Sequence, residues 1–146
     1  MRRKDIPERL VQGQCVRLLR KWRCEVFRRN VGIEVKEYKG KTRIVRYEEP
    51  GASDLWGFLP DRRHFECEVK RFGERPTFNQ IEWLRRVNHS LSPAFWVDSI
   101  EVLERNLPHI IDGASVRYRL EVQTYKVRGK PRVSICGDWD LILRKT

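Results

Sequence analysis

Residues 51–70, GASDLWGFLPDRRHFECEVK, contain two predicted strands joined by a short basic loop. Aromatic and β-branched side chains place these strands at residues 53–59 and 65–72, and a turn at residues 60–64 separates them. The two strands have the composition of a protein core, but four charged residues lie on them or at their ends: Asp54, Glu66, Glu68 and Lys70. Charges concentrated on such strands indicate a functional site.

Side chains alternate along the second strand, which puts Glu66, Glu68 and Lys70 on one face, with Glu68 and Lys70 about 7 Å apart. A carboxylate placed there can hold a hard divalent cation, and a lysine can orient or deprotonate the water that attacks a phosphodiester. Asp54 supplies a second carboxylate, and Mg²⁺ usually takes only one or two from a protein. The alternative is a solvated strand face with an ordinary Glu–Lys pair.

The elements around this segment predict a mixed central sheet flanked by helices, which is an α/β fold. We predict a first helix that Asp5 and Glu8 cap and that runs to Arg23, strands at 24–31 and 41–49 that can form a hairpin, a helix from Thr77 to about Asn88, a strand at 94–99, a helix at 99–110 and a C-terminal hairpin over 115–143.

The composition is strongly basic for a chain of one-domain length. The 146 residues contain 31 Lys and Arg against 20 Asp and Glu, a net charge of +11. Arginine accounts for 22 of the basic residues, and its planar guanidinium suits phosphate oxygens. The composition therefore favours a nucleic-acid partner over a merely soluble basic surface.

Cysteine usage and hydropathy indicate the compartment. The four cysteines, at positions 15, 24, 67 and 136, form no CxxC pair and no zinc-ligand spacing, and a reducing cytoplasm fits them best. No apolar run approaches the roughly 20 residues of a membrane span, so we expect no membrane partner.

The order of Asp54, Glu68 and Lys70, with Glu-x-Lys on a strand, resembles the PD-(D/E)XK nuclease superfamily. The surrounding motifs are more specific. GASDLWG (51–57), FECEVK (65–70) and TFNQIEWL (77–84) resemble the G-x-x-D-L-x-G, I-E-x-K and Q-x-x-W/F-L motifs of the VRR-NUC family, and ERLVQ (8–12) and VFRRNVG (26–32) are similar to its opening helix and first strand. The resemblance covers roughly residues 8–105.

This resemblance implies a restriction-endonuclease-like nuclease core at residues 1–112, with residues 113–146 as a C-terminal hairpin extension of the same domain. It implies that Asp54 and Glu68 bind Mg²⁺ or Mn²⁺, with the Val69 carbonyl a further ligand. Lys70 would orient the water or stabilise charge, Gln80 would face the same pocket, and Glu8 would be an auxiliary carboxylate.

Two features depart from the family pattern. Ser53 replaces the usual Pro before the catalytic Asp, and Glu66 adds a third carboxylate. The charge of Glu66 would shift the pKa of Glu68 or repel a misplaced phosphate, or its side chain is simply solvated. Two of the implied site residues have structural alternatives as well: Glu8 can complete the first helix cap, and Gln80 can be a surface amide beside the second.

Three arginine clusters adjoin the strands that carry the acidic residues. We expect them to bind DNA phosphates: Arg28, Arg29, Arg62, Arg63, Arg71 and Arg75.

The sequence thus predicts a metal-dependent endonuclease that hydrolyses DNA, and the resemblance to standalone family members implies branched DNA or Holliday junctions, in repair or recombination. A phage or mobile-element origin would suit such a protein. Resolution of a Holliday junction requires two symmetric nicks, which favours a homodimer. The hairpin at residues 115–143 would then form part of the dimer interface or would cover the edge of the sheet in its own chain. The alternatives are a non-catalytic DNA-binding accessory module and a sequence-reading restriction enzyme.

Overall fold

The computed structural model describes residues 3–29, 33–46 and 51–144. Within these ranges a 3₁₀ helix at Arg3–Asp5 precedes α1 (Glu8–Lys21), α2 (Phe78–Val87) and α3 (Ile100–Ile111). The strands are β1 (Glu25–Arg28), β2 (Ile33–Tyr38), β3 (Lys41–Arg46), β4 (Leu55–Phe58), β5 (His64–Val69), β6 (Ala94–Val97), β7 (Ser115–Val127) and β8 (Lys130–Ile142). The predicted α/β class and the C-terminal hairpin are confirmed.

The central sheet has the order β1-β4-β5-β6. β4 and β5 form the hairpin predicted from residues 51–70, with Trp56 opposite Glu66. β5 then pairs in parallel with β6, with Glu68 opposite Trp96, so the sheet is mixed. The strand that carries Glu66 and Glu68 therefore has a neighbouring strand on both sides.

The predicted pairing of the strands at 24–31 and 41–49 is wrong. β1 pairs with β4, where Val26 lies opposite Gly57, and β3 pairs instead with β2, which the sequence analysis did not identify. Gly57 permits the close approach of β1, because a Cβ there would lie 1.8 Å from the carbonyl oxygen of Glu25. Residues 30–31 and 47–49 of the predicted strands lie outside the described residues.

Of the two helix caps that the sequence predicts, one is confirmed and the other is wrong. The cap of α2 is confirmed, since Thr77 Oγ1 accepts from the Gln80 backbone N–H and Gln80 reciprocates. The cap at Asp5 is wrong: Pro7 is the N-cap of α1 and makes no side-chain cap bond, while Asp5 lies in the preceding 3₁₀ helix. The extended backbone at Pro7 separates Asp5 from the first turn of α1.

Helices cover both faces of the central sheet. On one face, α1 and α3 pack around β5 and β6, and the buried cluster consists chiefly of Val11, Cys15, Leu19, Phe65, Cys67, Val69, Phe95, Leu103 and Leu107. On the other face, Ile81 and Leu84 of α2 pack with Ala94 and Trp96, against Tyr118 and Trp139 from the base of the C-terminal hairpin.

The second layer explains why the charged strand face is not solvated. Glu66 and Glu68 lie under α2 and are only 4% and 2% exposed. The alternative of an ordinary surface pair is therefore wrong, and both carboxylates must find partners inside the protein.

Among the helices of the described residues, none is long and apolar enough to cross a membrane.

Candidate active site

Asp54 immediately precedes β4 and is tied to the end of β5. Its Oδ2 accepts a 3.0 Å hydrogen bond from the backbone N–H of Val69. Gly51 brings the same loop against α2, because its φ is +86° and a Cβ there would lie 2.6 Å from the carbonyl oxygen of Asn79. The two contacts fix Asp54 between the strand that carries Glu68 and the helix that carries Gln80.

Glu68 is a buried carboxyl with one oxygen bonded and one without a donor. Its Oε1 accepts a 2.9 Å hydrogen bond from Gln80 Nε2. Its Oε2 is buried and has no hydrogen-bond partner among the described residues. An ionised carboxylate in this position leaves a strong acceptor unsatisfied, a condition that a cation or a proton would relieve.

The pKa of Glu68 reflects this environment. Burial raises it most, and repulsion by the Asp54 carboxylate raises it further, to about 9, against the opposing effect of Lys70. A protonated Glu68 can also donate a hydrogen bond to Asp54, which favours the neutral form. The two carboxyl groups are therefore close enough to compete for one proton or to share one cation.

Gln80 connects three parts of the site. Its Oε1 accepts hydrogen bonds from the Thr77 backbone N–H at 2.8 Å and from Lys70 Nζ at 3.4 Å, while its Nε2 donates to Glu68. The two alternatives for this residue, helix cap and site residue, are thus both realised by one side chain. Because the cap fixes its amide, Gln80 holds Glu68 and Lys70 on the same side of β5.

Glu8 and Lys70 complete the charged group. The Lys70 backbone N–H, directly after β5, donates to the Val97 carbonyl at 2.8 Å. Burial raises the pKa of Glu8, the charge of Lys70 lowers it, and the charge of Asp54 raises it. Glu8 therefore lies within electrostatic reach of both Lys70 and Asp54. The capping-box alternative for Glu8 is wrong, because Pro7 is the N-cap of α1.

Glu66 is a structural centre beside the site. Its Oε1 accepts from Ser53 Oγ at 2.8 Å, Arg29 at 2.9 Å and Trp83 Nε1 at 3.0 Å. Burial alone would raise the pKa of Glu66, but these hydrogen bonds lower it below its ordinary value. Its Oε2 lies 3.4 Å from Nε2 of His64, whose side chain is 35% exposed. The solvated alternative for Glu66 is wrong.

Two of the six arginines expected to bind DNA phosphates, Arg29 and Arg63, make contacts within the protein instead. Arg29 binds Glu66, and its side chain is 15% exposed. Arg63 donates to the carbonyl oxygens of Ile110 and Ile111, at 2.9 and 3.2 Å, and also bonds to Asp61. Both guanidinium groups thus make their contacts within the protein, a role in the fold that differs from the expected binding of phosphates.

The other four arginines expected to bind DNA phosphates differ in how far they already make contacts within the protein. Arg28 is exposed, and Arg62 is exposed in an ion pair with Glu25. Arg71 is exposed and donates from Nε to the Lys4 carbonyl at 2.9 Å. Arg75 donates to the Gly137 carbonyl at 3.4 Å and lies 5.7 Å from the centroid of the Trp96 ring.

The donor set suits a hard divalent cation held by few protein ligands. Residues 3–29, 33–46 and 51–144 contain no group of three or more His, Cys, Asp or Glu side chains arranged to hold a metal ion. Asp54 and Glu68 offer two carboxylates, one with an unsatisfied buried oxygen, and Mg²⁺ is commonly held by two or fewer. The residues present therefore fit Mg²⁺ or Mn²⁺ better than a metal that needs a full protein shell.

Comparison with known proteins gives one solved structure, described as a VRR_NUC domain, that is similar to this chain. The identity is 21%, the TM-score is 0.49, and the match covers 70% of this chain and 95% of that chain. Its description is the family that the motifs around Asp54 and Glu68 resemble. No family model and no curated protein matches the sequence.

Proposed function

We propose that this chain is a metal-dependent endonuclease that hydrolyses DNA phosphodiester bonds. The observation that carries the proposal is the buried Glu68 carboxyl, whose Oε2 has no donor among the described residues while Asp54 lies beside it. A buried carboxyl group beside a second carboxylate is costly to a fold unless a cation or a proton compensates it, and groups in such environments are concentrated at functional sites. Lys70 beside them and a net charge of +11 select an anionic substrate.

Each side chain has a separate role in this proposal. Asp54 and Glu68 would hold the ion, together with the Val69 carbonyl, and the bound ion would polarise the scissile phosphate and acidify a water molecule. Lys70 would orient that water or offset charge on the phosphate. Gln80 fixes the Glu68 carboxylate, and Glu8 would accept a proton or position water at the edge of the site.

Branched DNA, such as a Holliday junction, is the substrate class that we propose, in keeping with the family resemblance of the motifs. Resolution of a four-way junction requires two symmetric nicks, and one chain carries one such site. A two-fold homodimer would present two sites to a substrate with matching symmetry. Light scattering of the protein alone and with junction DNA tests the assembly, and a monomer in both samples would exclude the dimer.

The test of catalysis is cleavage of labelled duplex, flap, fork and four-way junction DNA in Mg²⁺, Mn²⁺ or EDTA. We expect cleavage of the branched substrates only with metal, and none by Glu68→Gln or Asp54→Asn. Glu104→Gln is the matched control, since it removes an exposed carboxylate from α3 on the opposite side of the sheet. Equal cleavage in EDTA, or full activity of Glu68→Gln, would refute the metal mechanism. DNA binding without cleavage in every metal would instead support the accessory-module alternative.

A further inference from the structure

The C-terminal hairpin continues far beyond the core that supports it. At its base, Tyr118 donates to the Ala94 carbonyl at 2.7 Å, and Trp139 Nε1 donates to the Trp96 carbonyl at 2.7 Å. Every residue from Arg119 to Val133 is exposed. The part of β7 beyond Leu120 alone extends roughly 24 Å. We call residues 121–136 the arm.

Charge is segregated along the hairpin. The arm has four basic residues near its tip, Lys126, Arg128, Lys130 and Arg132, and from 122 to 136 it has no acidic residue. The acidic residues Asp138 and Asp140 lie at the base, and Asp140 pairs with Arg117 at 2.7 Å and with Arg119 at 3.5 Å. The basic tip therefore presents a local positive charge that the base does not offset.

An open cleft of about 460 Å³ lies between the arm and the start of α2. Tyr125 and Val133 line it from the arm, and Pro76, Thr77 and Phe78 line it from the other side. Tyr125 and Phe78 are each 49% exposed, so both rings can receive a further planar group. Thr77, which lines the cleft, also makes the capping hydrogen bonds with Gln80, so the cleft lies at the start of the helix that carries this candidate site residue.

We infer that the arm binds DNA: the basic tip contacts the phosphates, and a base from a single-stranded or unpaired segment stacks in the cleft on Tyr125 or Phe78. Positive charge beside exposed aromatic rings is the pattern that binds single-stranded nucleic acid. Charge complementarity favours DNA over a second copy of the chain, because two arms packed at their tips would bring like charges together. The choice of DNA depends on the proposed function, whereas the binding surface itself does not.

The test compares two variants that lose the same charge. The arm variant carries Lys126→Gln, Arg128→Gln and Arg132→Gln, and the control carries Arg20→Gln, Lys21→Gln and Arg23→Gln, at the end of α1 that is about 20 Å from Glu8. The sets are matched in conformation too, since Arg128 and Arg23 have φ values of 52° and 63°. Thermal melting of each variant establishes that it folds.

Binding to labelled single-stranded and forked DNA is measured in EDTA by fluorescence anisotropy over a range of salt concentrations. We expect the arm variant to bind more weakly and to reduce the salt-dependence slope by about 2 to 3, whereas the control keeps the slope of the unaltered protein. Tyr125→Ala should weaken binding to single-stranded DNA by about 5- to 150-fold, the effect of one lost base stack.

Each outcome separates the arm from the nuclease proposal. If the arm variant keeps the affinity and slope of the unaltered protein, the inference is wrong, even if the protein cleaves DNA. If the arm variant loses binding but the unaltered protein cleaves nothing in Mg²⁺ or Mn²⁺, the arm stands and the nuclease proposal fails. If the unaltered protein is a dimer without DNA and the arm variant is a monomer, a second copy occupies the arm and the inference is overturned.

Discussion

Ser53 Oγ donates a 2.8 Å hydrogen bond to Oε1 of Glu66, so the two residues at which the sequence departs from the motif that it resembles contact each other. Ser53 is 1% exposed and precedes Asp54 directly. Arg29 and Trp83 donate to the same Glu66 oxygen, which joins the Asp54 loop to β5 and α2. A proline at position 53 has no side-chain donor and could not make this bond.

The first prediction concerns the stability that this contact provides. Glu66→Ala removes the buried carboxylate that accepts from Ser53, Arg29 and Trp83, and should reduce the free energy of unfolding by about 3–5 kcal/mol. Ser53→Ala removes one donor and should cost only about 1 kcal/mol. Urea unfolding of both single variants and of the double variant measures the coupling between them. Additive effects would show that Ser53 and Glu66 are energetically independent.

The second prediction concerns Glu68 in the metal-free protein. Glu68→Gln keeps the acceptor for Gln80 and removes a buried acid beside Asp54, so it should raise the melting temperature in EDTA at pH 8. An increase of about 3 °C or more is expected, the shift that about 1 kcal/mol produces in a domain of this size. A melting temperature below that of the unaltered protein would contradict the view that the buried Glu68 carboxyl destabilises the metal-free protein.

The pH dependence follows from the same carboxyl. Its pKa is raised to about 9 in the folded protein, from an ordinary value near 4.5. The unfolded chain therefore releases this proton first, and the stability that the protonated group contributes is complete below pH 4.5 and is lost as the pH rises through 9. The difference between Glu68→Gln and the unaltered protein in EDTA should accordingly widen from pH 5 to pH 9.

The acidic centre could be predicted from the sequence because its determinants are local. The alternation of β5 fixes the spacing of Glu68 and Lys70, and a two-strand hairpin brings Asp54 beside them. The start of α2 is set by Thr77, whose cap places Gln80 in the first turn. None of these steps requires knowledge of how distant parts of the chain pack.

The role of Glu66 could not be predicted, because its partners come from separate elements. Arg29 follows β1 and Trp83 lies on α2, and neither has a sequence spacing that points to Glu66. The pairing of β1 was missed for a similar reason, since it depends on the close approach of Glu25 to Gly57. Burial by α2 then makes the charged face of β5, which the sequence alone left open to solvent as an alternative, part of a buried network.

The third prediction concerns metal binding measured without activity. Mn²⁺ or Mg²⁺ should raise the melting temperature of the unaltered protein, because in the proposed mechanism the ion would bind the folded state and would satisfy the buried Oε2 of Glu68. Asp54→Asn and Glu68→Gln should lose this shift, whereas Glu104→Gln should keep it. An equal shift in all four proteins would show that the ion binds elsewhere.

The fourth prediction separates the arginines that bind DNA from those that support the fold. Arg28→Ala with Arg62→Ala should weaken DNA binding and reduce its salt slope by about 2, with little loss of stability because both side chains are exposed. Arg63→Ala should instead lower the melting temperature, since two carbonyl oxygens on α3 lose their donor. A stable Arg63→Ala protein with impaired DNA binding would show instead that Arg63 binds DNA phosphates.

The fifth prediction divides the two roles of Gln80. Gln80→Glu keeps an oxygen that accepts from the Thr77 backbone N–H, so α2 stays capped, but it replaces the amide that donates to Glu68 with another carboxylate oxygen. Thr77→Ala is the converse change, because it removes the side-chain half of the cap and leaves the Gln80 amide in place. We expect Gln80→Glu to reduce cleavage by about 10- to 100-fold, the usual effect of disturbing a residue that orients a metal ligand. Thr77→Ala should cost about 1 kcal/mol of stability and much less activity. Single-turnover cleavage and urea unfolding of both variants measure the two effects, and a loss of activity in Thr77→Ala but not in Gln80→Glu would mean that Gln80 acts only by capping the helix.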